Sequence, residues 1–165
     1  MPISQLAVSP DGKTIAFEMS AGKERGSGIW TVTDQGVDLR LLVRNAEDPA
    51  WSPDGSKLTY SARYSEDGKE ISKYYEIFII DPKSGKTSRV TDNGWHDRYP
   101  VFSPDGKRIA FQSFRHQLAV SGAEIFVINT DGTGEGRLTL PQNNPKVAEN
   151  PFKAWATDQS PDWHA

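Results

Sequence analysis

A four-residue string, Ser-Pro-Asp-Gly, occurs three times in this chain, at 9–12, 52–55 and 103–106. Each copy precedes a short strand-like run: KTIAF at 13–17, SKLTY at 56–60 and KRIAF at 107–111. Each then continues into an apolar run (IWTV at 29–32, EIFII at 76–80, EIFVI at 124–128) and a shorter closing one (RLLV at 40–43, RVT at 89–91, RLT at 137–139). A fourth copy starts at Pro161-Asp162-Trp163, which matches Pro49-Ala50-Trp51 and Pro100-Val101-Phe102. Self-similarity at a period of about 40–50 residues restricts the fold to architectures of stacked, equivalent units.

The turn chemistry says what each unit is. Proline suits the position of a type I turn that needs a fixed φ. Serine and aspartate bond nearby amides, and glycine accepts a positive φ. With strand-like runs on both sides, each Ser-Pro-Asp-Gly string predicts a β-hairpin tip. The second strand alternates large and small (Ile15-Ala16-Phe17, Leu58-Thr59-Tyr60, Ile109-Ala110-Phe111), and the third is almost continuously apolar. Such sheets are covered on both faces. Four strands in a unit of this length are the signature of a β-propeller blade. The fold class expected is therefore all-β, with blades of four-stranded antiparallel meanders, three per chain, or half of a six-bladed propeller. The blades are expected at 3–48, 49–99 and 100–160, with 161–165 as an extra innermost strand. Helix is expected to be nearly absent; only 145–158 could hold a turn, and Pro145 and Pro151 oppose it.

Composition narrows the function classes. The 165 residues carry a formal net charge of −3, which argues against a nucleic-acid partner. No apolar run approaches the roughly 20 residues that span a bilayer, and MPISQLAVSPDG lacks the pattern of a secretory leader. There is no cysteine, hence no disulfide or thiolate chemistry.

The pattern P-x-[WF]-SPDG-K-x-[IL]-[AT]-[FY], then E-I-[FW]-V, then R-L-T, resembles the PD-type, WD-like repeat of TolB-like propeller proteins, over nearly the whole chain. The first unit departs from it, with Ala7-Val8 in place of an aromatic and Gly28 where Glu76 and Glu124 stand. The resemblance implies six blades and a periplasmic or secreted location. The same repeat also builds gating propellers of prolyl-oligopeptidase-like peptidases and some oligogalacturonate lyases, so an enzyme part is the alternative to a binding module.

Loop lengths point to one end of each meander. The turn between the first two strands is constant, and the third connection nearly so: Ile29 to Arg40 spans 11 residues, while Ile77 to Arg89 and Ile125 to Arg137 each span 12. The second connection and the link to the next unit vary. Alternate turns lie at opposite ends of a meander, so the variable loops share one face of the disc, where function commonly sits. Candidate binding residues there are Tyr64, Trp95, His96, Arg98, Phe114, Arg115, His116 and Trp155. Aromatic and arginine side chains are favoured at binding hot spots. Tyr75 and Tyr99 could equally fill gaps between blades.

Catalytic signatures are missing. There is no GxSxG or HExxH, and Gly12-Lys13-Thr14 and Gly85-Lys86-Thr87 lack the earlier glycine of a phosphate loop. Asn129–Glu135 reads as a plain hairpin turn rather than a calcium loop. His96 and His116 could meet on the loop face, but two loop histidines are more often solvated, and neither cofactor nor metal is expected. The expected partner is a protein, peptide or glycan. Closed propellers have four to eight blades. A three-bladed arc would leave apolar faces in water, so a homodimer closing six blades, or a longer parent chain, is expected, with Pro161–Ala165 as a clasp.

Overall fold

Each Ser-Pro-Asp-Gly string is a hairpin tip held by one repeated set of hydrogen bonds. In the first, the buried Ser9 hydroxyl donates to Asp11 Oδ1 at 2.6 Å and accepts the Thr14 amide at 2.9 Å, and Asp11 also accepts the Lys13 amide at 3.1 Å. Ser52 and Ser103 repeat the pattern, each donating to its aspartate at 2.6 Å and accepting an amide at 2.9 Å. Gly12, Gly55 and Gly106 close the turns at φ 73°, 69° and 68°, which only glycine adopts without steric cost.

The structure, a computed structural model, describes residues 2–20, 22, 26–63, 72–115 and 123–139. Among these residues twelve strands form three antiparallel sheets. The first contains β1 (Ile3–Val8), β2 (Thr14–Ser20), β3 (Ser27–Thr33) and β4 (Arg40–Arg44). The second contains β5 (Ala46–Trp51), β6 (Leu58–Ala62), β7 (Glu76–Ile80) and β8 (Thr87–Arg89). The third contains β9 (Asp97–Phe102), β10 (Arg108–Ser113), β11 (Glu124–Asn129) and β12 (Gly136–Arg137). Strand order in every sheet is the chain order, so each sheet is a meander and the all-β expectation holds. The segments 145–158 and 161–165 lie outside the described residues.

Alternation within the strands gives each sheet two unlike faces. Phe17 pairs Trp30, Tyr60 pairs Phe78 and Phe111 pairs Phe126 across the second and third strands. These aromatic pairs mark one face, and smaller residues mark the other. Ala16, Ile29 and Val43 of the first sheet pack on Leu58, Tyr60, Phe78 and Ile80 of the second. Ile77, Ile79 and Val90 of the second pack on Phe102, Ile109, Phe111 and Phe126 of the third. Both intersheet cores therefore place an aromatic face on the smaller face of the sheet before it. Their burial is the main stabilising term, at about 25 cal/mol per Å² of apolar surface.

The constant turns meet at one end, where the Asp34 amide donates to Lys13 O at 3.0 Å and Thr130 does the same to Lys107 O. The other connections meet at the opposite end: the Asn45 amide donates to Ser27 O and the Asp97 amide to Tyr75 O, both at 2.8 Å. One register differs from the sequence reading. Leu41, not Arg40, stands opposite Trp30, in the place that Arg89 and Arg137 take opposite Phe78 and Phe126. The turn fixes this pairing, since Ile29 to Leu41 is the same 12-residue interval as in the other two sheets, and the bulge in β4 follows it at Leu42.

Candidate functional site at the loop end

The first strand of every sheet carries the same irregularity. The ladder is interrupted between Ser4 and Ala7, between Glu47 and Ala50, and between Arg98 and Val101. At each bulge a non-glycine residue takes a left-handed conformation: Gln5 at φ 47°, Asp48 at φ 58° and Tyr99 at φ 53°. Bulges re-aim side chains and kink the strand, and left-handed non-glycine residues cost of order 1–3 kcal/mol unless the surroundings hold them. Gln, Asp and Tyr share no chemistry that would flag the position in sequence.

Here the surroundings supply acceptors. Glu18, on β2 of the first sheet, accepts the Asp48 amide at 2.7 Å and the Ser4 hydroxyl at 2.7 Å. The buried Asp48 carboxylate, held by Ser61, in turn reaches the Tyr99 amide at 3.4 Å and Arg98 Nε at 3.0 Å. Arg98 also pairs with Glu47 and lies 4.5 Å from the centre of the Tyr75 ring. The Tyr75 hydroxyl donates to Glu47 at 2.7 Å, and burial with Glu47 beside it pushes the phenol pKa up. Between the first two sheets this network borders a cleft of about 330 Å³, lined by Ser4, Glu18, Ser20, Glu47, Arg63 and Tyr75.

Of the sequence-predicted residues, Arg98 belongs to this network and His96 contacts its Tyr75, while Tyr64, His116 and Trp155 lie outside the described residues. Trp95 is 45% exposed, next to His96. His96 Nδ1 accepts the Tyr75 amide at 3.2 Å, and its carbonyl accepts the Phe114 amide at 3.0 Å. Burial, then Arg63 and Arg98, push the imidazole pKa down, consistent with a neutral ring that accepts at Nδ1. Arg98 holds the second and third sheets together. Arg115 is likewise engaged: it pairs with Glu135, lies 3.5 Å from Asp97, donates to Ser113 and sits over the Phe126 ring at 4.0 Å. The half-buried Phe114 follows β10. Among the described residues, no group of three or more His, Asp or Glu side chains could hold a metal.

The comparisons bear on what such an arrangement belongs to. No protein-family model matches the chain. An uncharacterized protein of Agrobacterium fabrum is 29% identical over 136 residues, covering 80% of this chain and 42% of that protein. A TolB homolog of Chlorobium luteolum is 33% identical over 131 residues, covering 79% and 27%. Among solved structures, a TolB-type protein from Agrobacterium tumefaciens superposes with a TM-score of 0.70 at 28% identity, over 83% of this chain and 46% of that one. This chain carries the TolB-like β-propeller repeat. It spans less than half the length of each of these three relatives. An oligogalacturonate lyase and an acylaminoacyl peptidase, at 19% and 13% identity, share the fold alone.

Sequence reasoning missed Glu18, Glu47 and Asp48. The signal for Glu18 was available: it occupies the same strand position as Ser61 and Gln112, a polar residue on the smaller, otherwise apolar face.

Proposed function

We propose that this chain is a non-catalytic binding module whose loop end takes a protein or peptide segment in the cleft between its first two blades. The observation that carries this reading is the 330 Å³ cleft itself, with Glu18, Glu47, Ser4 and the Tyr75 edge as its polar lining. Concave sites with a few convergent polar groups are the usual form of a binding site. The exposed Trp95 is tied to that rim through the contact of His96 with Tyr75, and tryptophan is enriched among hot spots. A displayed random-peptide library selected on the chain tests the proposal. Recovered peptides should lose about tenfold or more in affinity on Trp95→Ala and on Ser20→Trp, which fills the cleft, with the far-UV circular dichroism unchanged. Binding untouched by both substitutions would remove the loop end as the site.

We further propose that the blades complete one ring of six, either by association of two copies or within a longer parent chain. Support comes from the three blades per chain against the four to eight that closed propellers use.

A further inference from the structure

The three sheets repeat one pairing pattern, and the first sheet departs from it at a buried position. Across the second and third strands Thr59 pairs Ile79 and Ala110 pairs Val127, but Ala16 pairs Thr31. Thr31 thus puts a hydroxyl where the other blades put an aliphatic side chain, and it is 3% exposed. The fourth strand changes with it: Arg40 faces Thr31, while Ser88 and Gly136 face Ile79 and Val127. A buried hydroxyl is normally satisfied, as the Thr59 hydroxyl is by donating to Phe78 O at 2.8 Å. Among the described residues the Thr31 oxygen accepts only from Arg40 Nε, at 3.4 Å, and its O–H donates to nothing. Arg40 Nη2 reaches Pro82 O, also at 3.4 Å. Both contacts are longer than the usual range for such bonds, and leaving a buried donor without an acceptor is costly.

Thr31 and Arg40 line a cleft of about 350 Å³ between the first two blades, at the end of the constant turns. It shares no lining residue with the cleft at the loop end. Four charged residues border it: Asp11 and Asp54 on the hairpin tips, Arg40, and Lys83 of the second blade. The Ser9 hydroxyl and then the Lys13 amide hold the Asp11 carboxyl below the usual carboxylate range, and Asp54 is held at about 2. Both are therefore ionised at neutral pH, and the lining carries no net charge. Asp11 Oδ1 takes the two bonds of its turn, and Oδ2 has no donor among the described residues. The half-buried Trp51 adds an aromatic surface, its Nε1 already donating to Ala7 O at 3.1 Å. The corresponding cleft between the second and third blades, of about 330 Å³, has Phe102, Asp54 and Asp105 but no counterpart of Thr31 or Arg40.

We propose that the turn-end cleft between the first two blades binds an uncharged oligosaccharide through one pyranose unit. One ring hydroxyl accepts the Thr31 O–H and an Arg40 N–H, a second donates to Asp11 Oδ2, and the C–H face of the ring lies on Trp51. An aromatic surface with a few convergent polar groups is the usual form of a small-ligand site. Balanced charges with donors beside acceptors suit a ligand that carries both on adjacent carbons and is itself neutral. A charged ligand would instead be set against two like charges of the lining.

An array of immobilised neutral and uronic-acid oligosaccharides probed with the chain tests this, with titration calorimetry on the sugar that is retained. The expected result is retention of neutral forms in preference to uronic-acid forms. Arg40→Ala should weaken the retained sugar about tenfold or more, the scale of a hydrogen bond to a charged group. Thr31→Val separates ligand from fold, because valine keeps the shape and restores the aliphatic character of Ile79 and Val127. It should weaken the sugar about two- to tenfold, with the urea midpoint unchanged or raised. An array that retains nothing, retention of uronic-acid forms alone, or binding untouched by both substitutions would overturn the proposal. So would a Thr31→Val chain that loses stability, since the hydroxyl would then serve the fold.

Discussion

Ser52 shows how much of a repeat can rest on one hydroxyl. It is 4% exposed, donates to Asp54 and accepts the Lys57 amide. Ser52→Ala leaves that amide without its partner, so stability should fall by about 1–2 kcal/mol, measured by urea unfolding. The Ser52 hydroxyl and then the Ser56 amide hold the Asp54 carboxyl down at about 2. A lowered value means stability that is complete above the ordinary carboxylate range, near 3.9, and lost as pH falls through about 2. The stability gap between the wild type and Asp54→Asn should therefore shrink between about pH 4 and about pH 2. Asp97 has the opposite sign. It is fully buried, and burial pushes its carboxyl up despite Asn93 and Arg115 nearby. Its contribution is greatest when protonated and falls as pH rises from the ordinary value to the raised one. Across that interval Asp97→Asn should gain on the wild type, and a gap independent of pH would contradict the assignment.

At the scale of the elements, the three blades differ in how the third strand is tied to the fourth. In the second blade Glu76 accepts the Thr91 hydroxyl at 2.8 Å and pairs with Arg89 at 3.1 Å, and Thr91 accepts the Ile77 amide at 2.9 Å. In the third, Arg137 likewise pairs with Glu124 and Thr139 accepts the Ile125 amide at 3.0 Å. The first cannot, because Gly28 stands at that position, and its strands approach so closely that an added Cβ would meet Val43 O at 2.1 Å. Gly28 also sits at φ 150°. Gly28→Ala should therefore cost more than a typical substitution, about 2 kcal/mol or more, because β4 must move. Unfolding of this variant against Gly36→Ala, whose added Cβ meets nothing within 4 Å, separates the close approach from the loss of a positive-φ glycine. Equal costs would refute the close-approach explanation.

For the whole molecule, the proposed association of two copies implies a stability that depends on concentration. The melting temperature of the wild-type chain should rise as concentration increases, since mass action favours the associated folded state. A melting temperature independent of concentration in the wild type would count against closure by a second copy.

The all-β meanders, the three hairpin tips and the division into constant and variable ends were legible in the sequence, because turns and alternation are local and three copies reinforce one another. Gly12, Gly55 and Gly106 take the positive φ that their turns require, and the alternation at Ile15-Ala16-Phe17 becomes the two unlike faces. The candidate site was legible only in outline. His96 accepts the amide of Tyr75, which lines the cleft, while Arg98 and Arg115, chosen as candidate binding residues, hold Asp48, Glu47, Asp97 and Glu135. No local pattern reveals that pairing, since Arg98 and Asp48 lie 50 residues apart in sequence. The left-handed bulges at Gln5, Asp48 and Tyr99 were equally hidden. At Asp48 and Tyr99 the ladder on one side meets an acceptor from the preceding blade on the other, Glu18 and the Asp48 carboxylate, and those two constraints meet only once the sheets have packed.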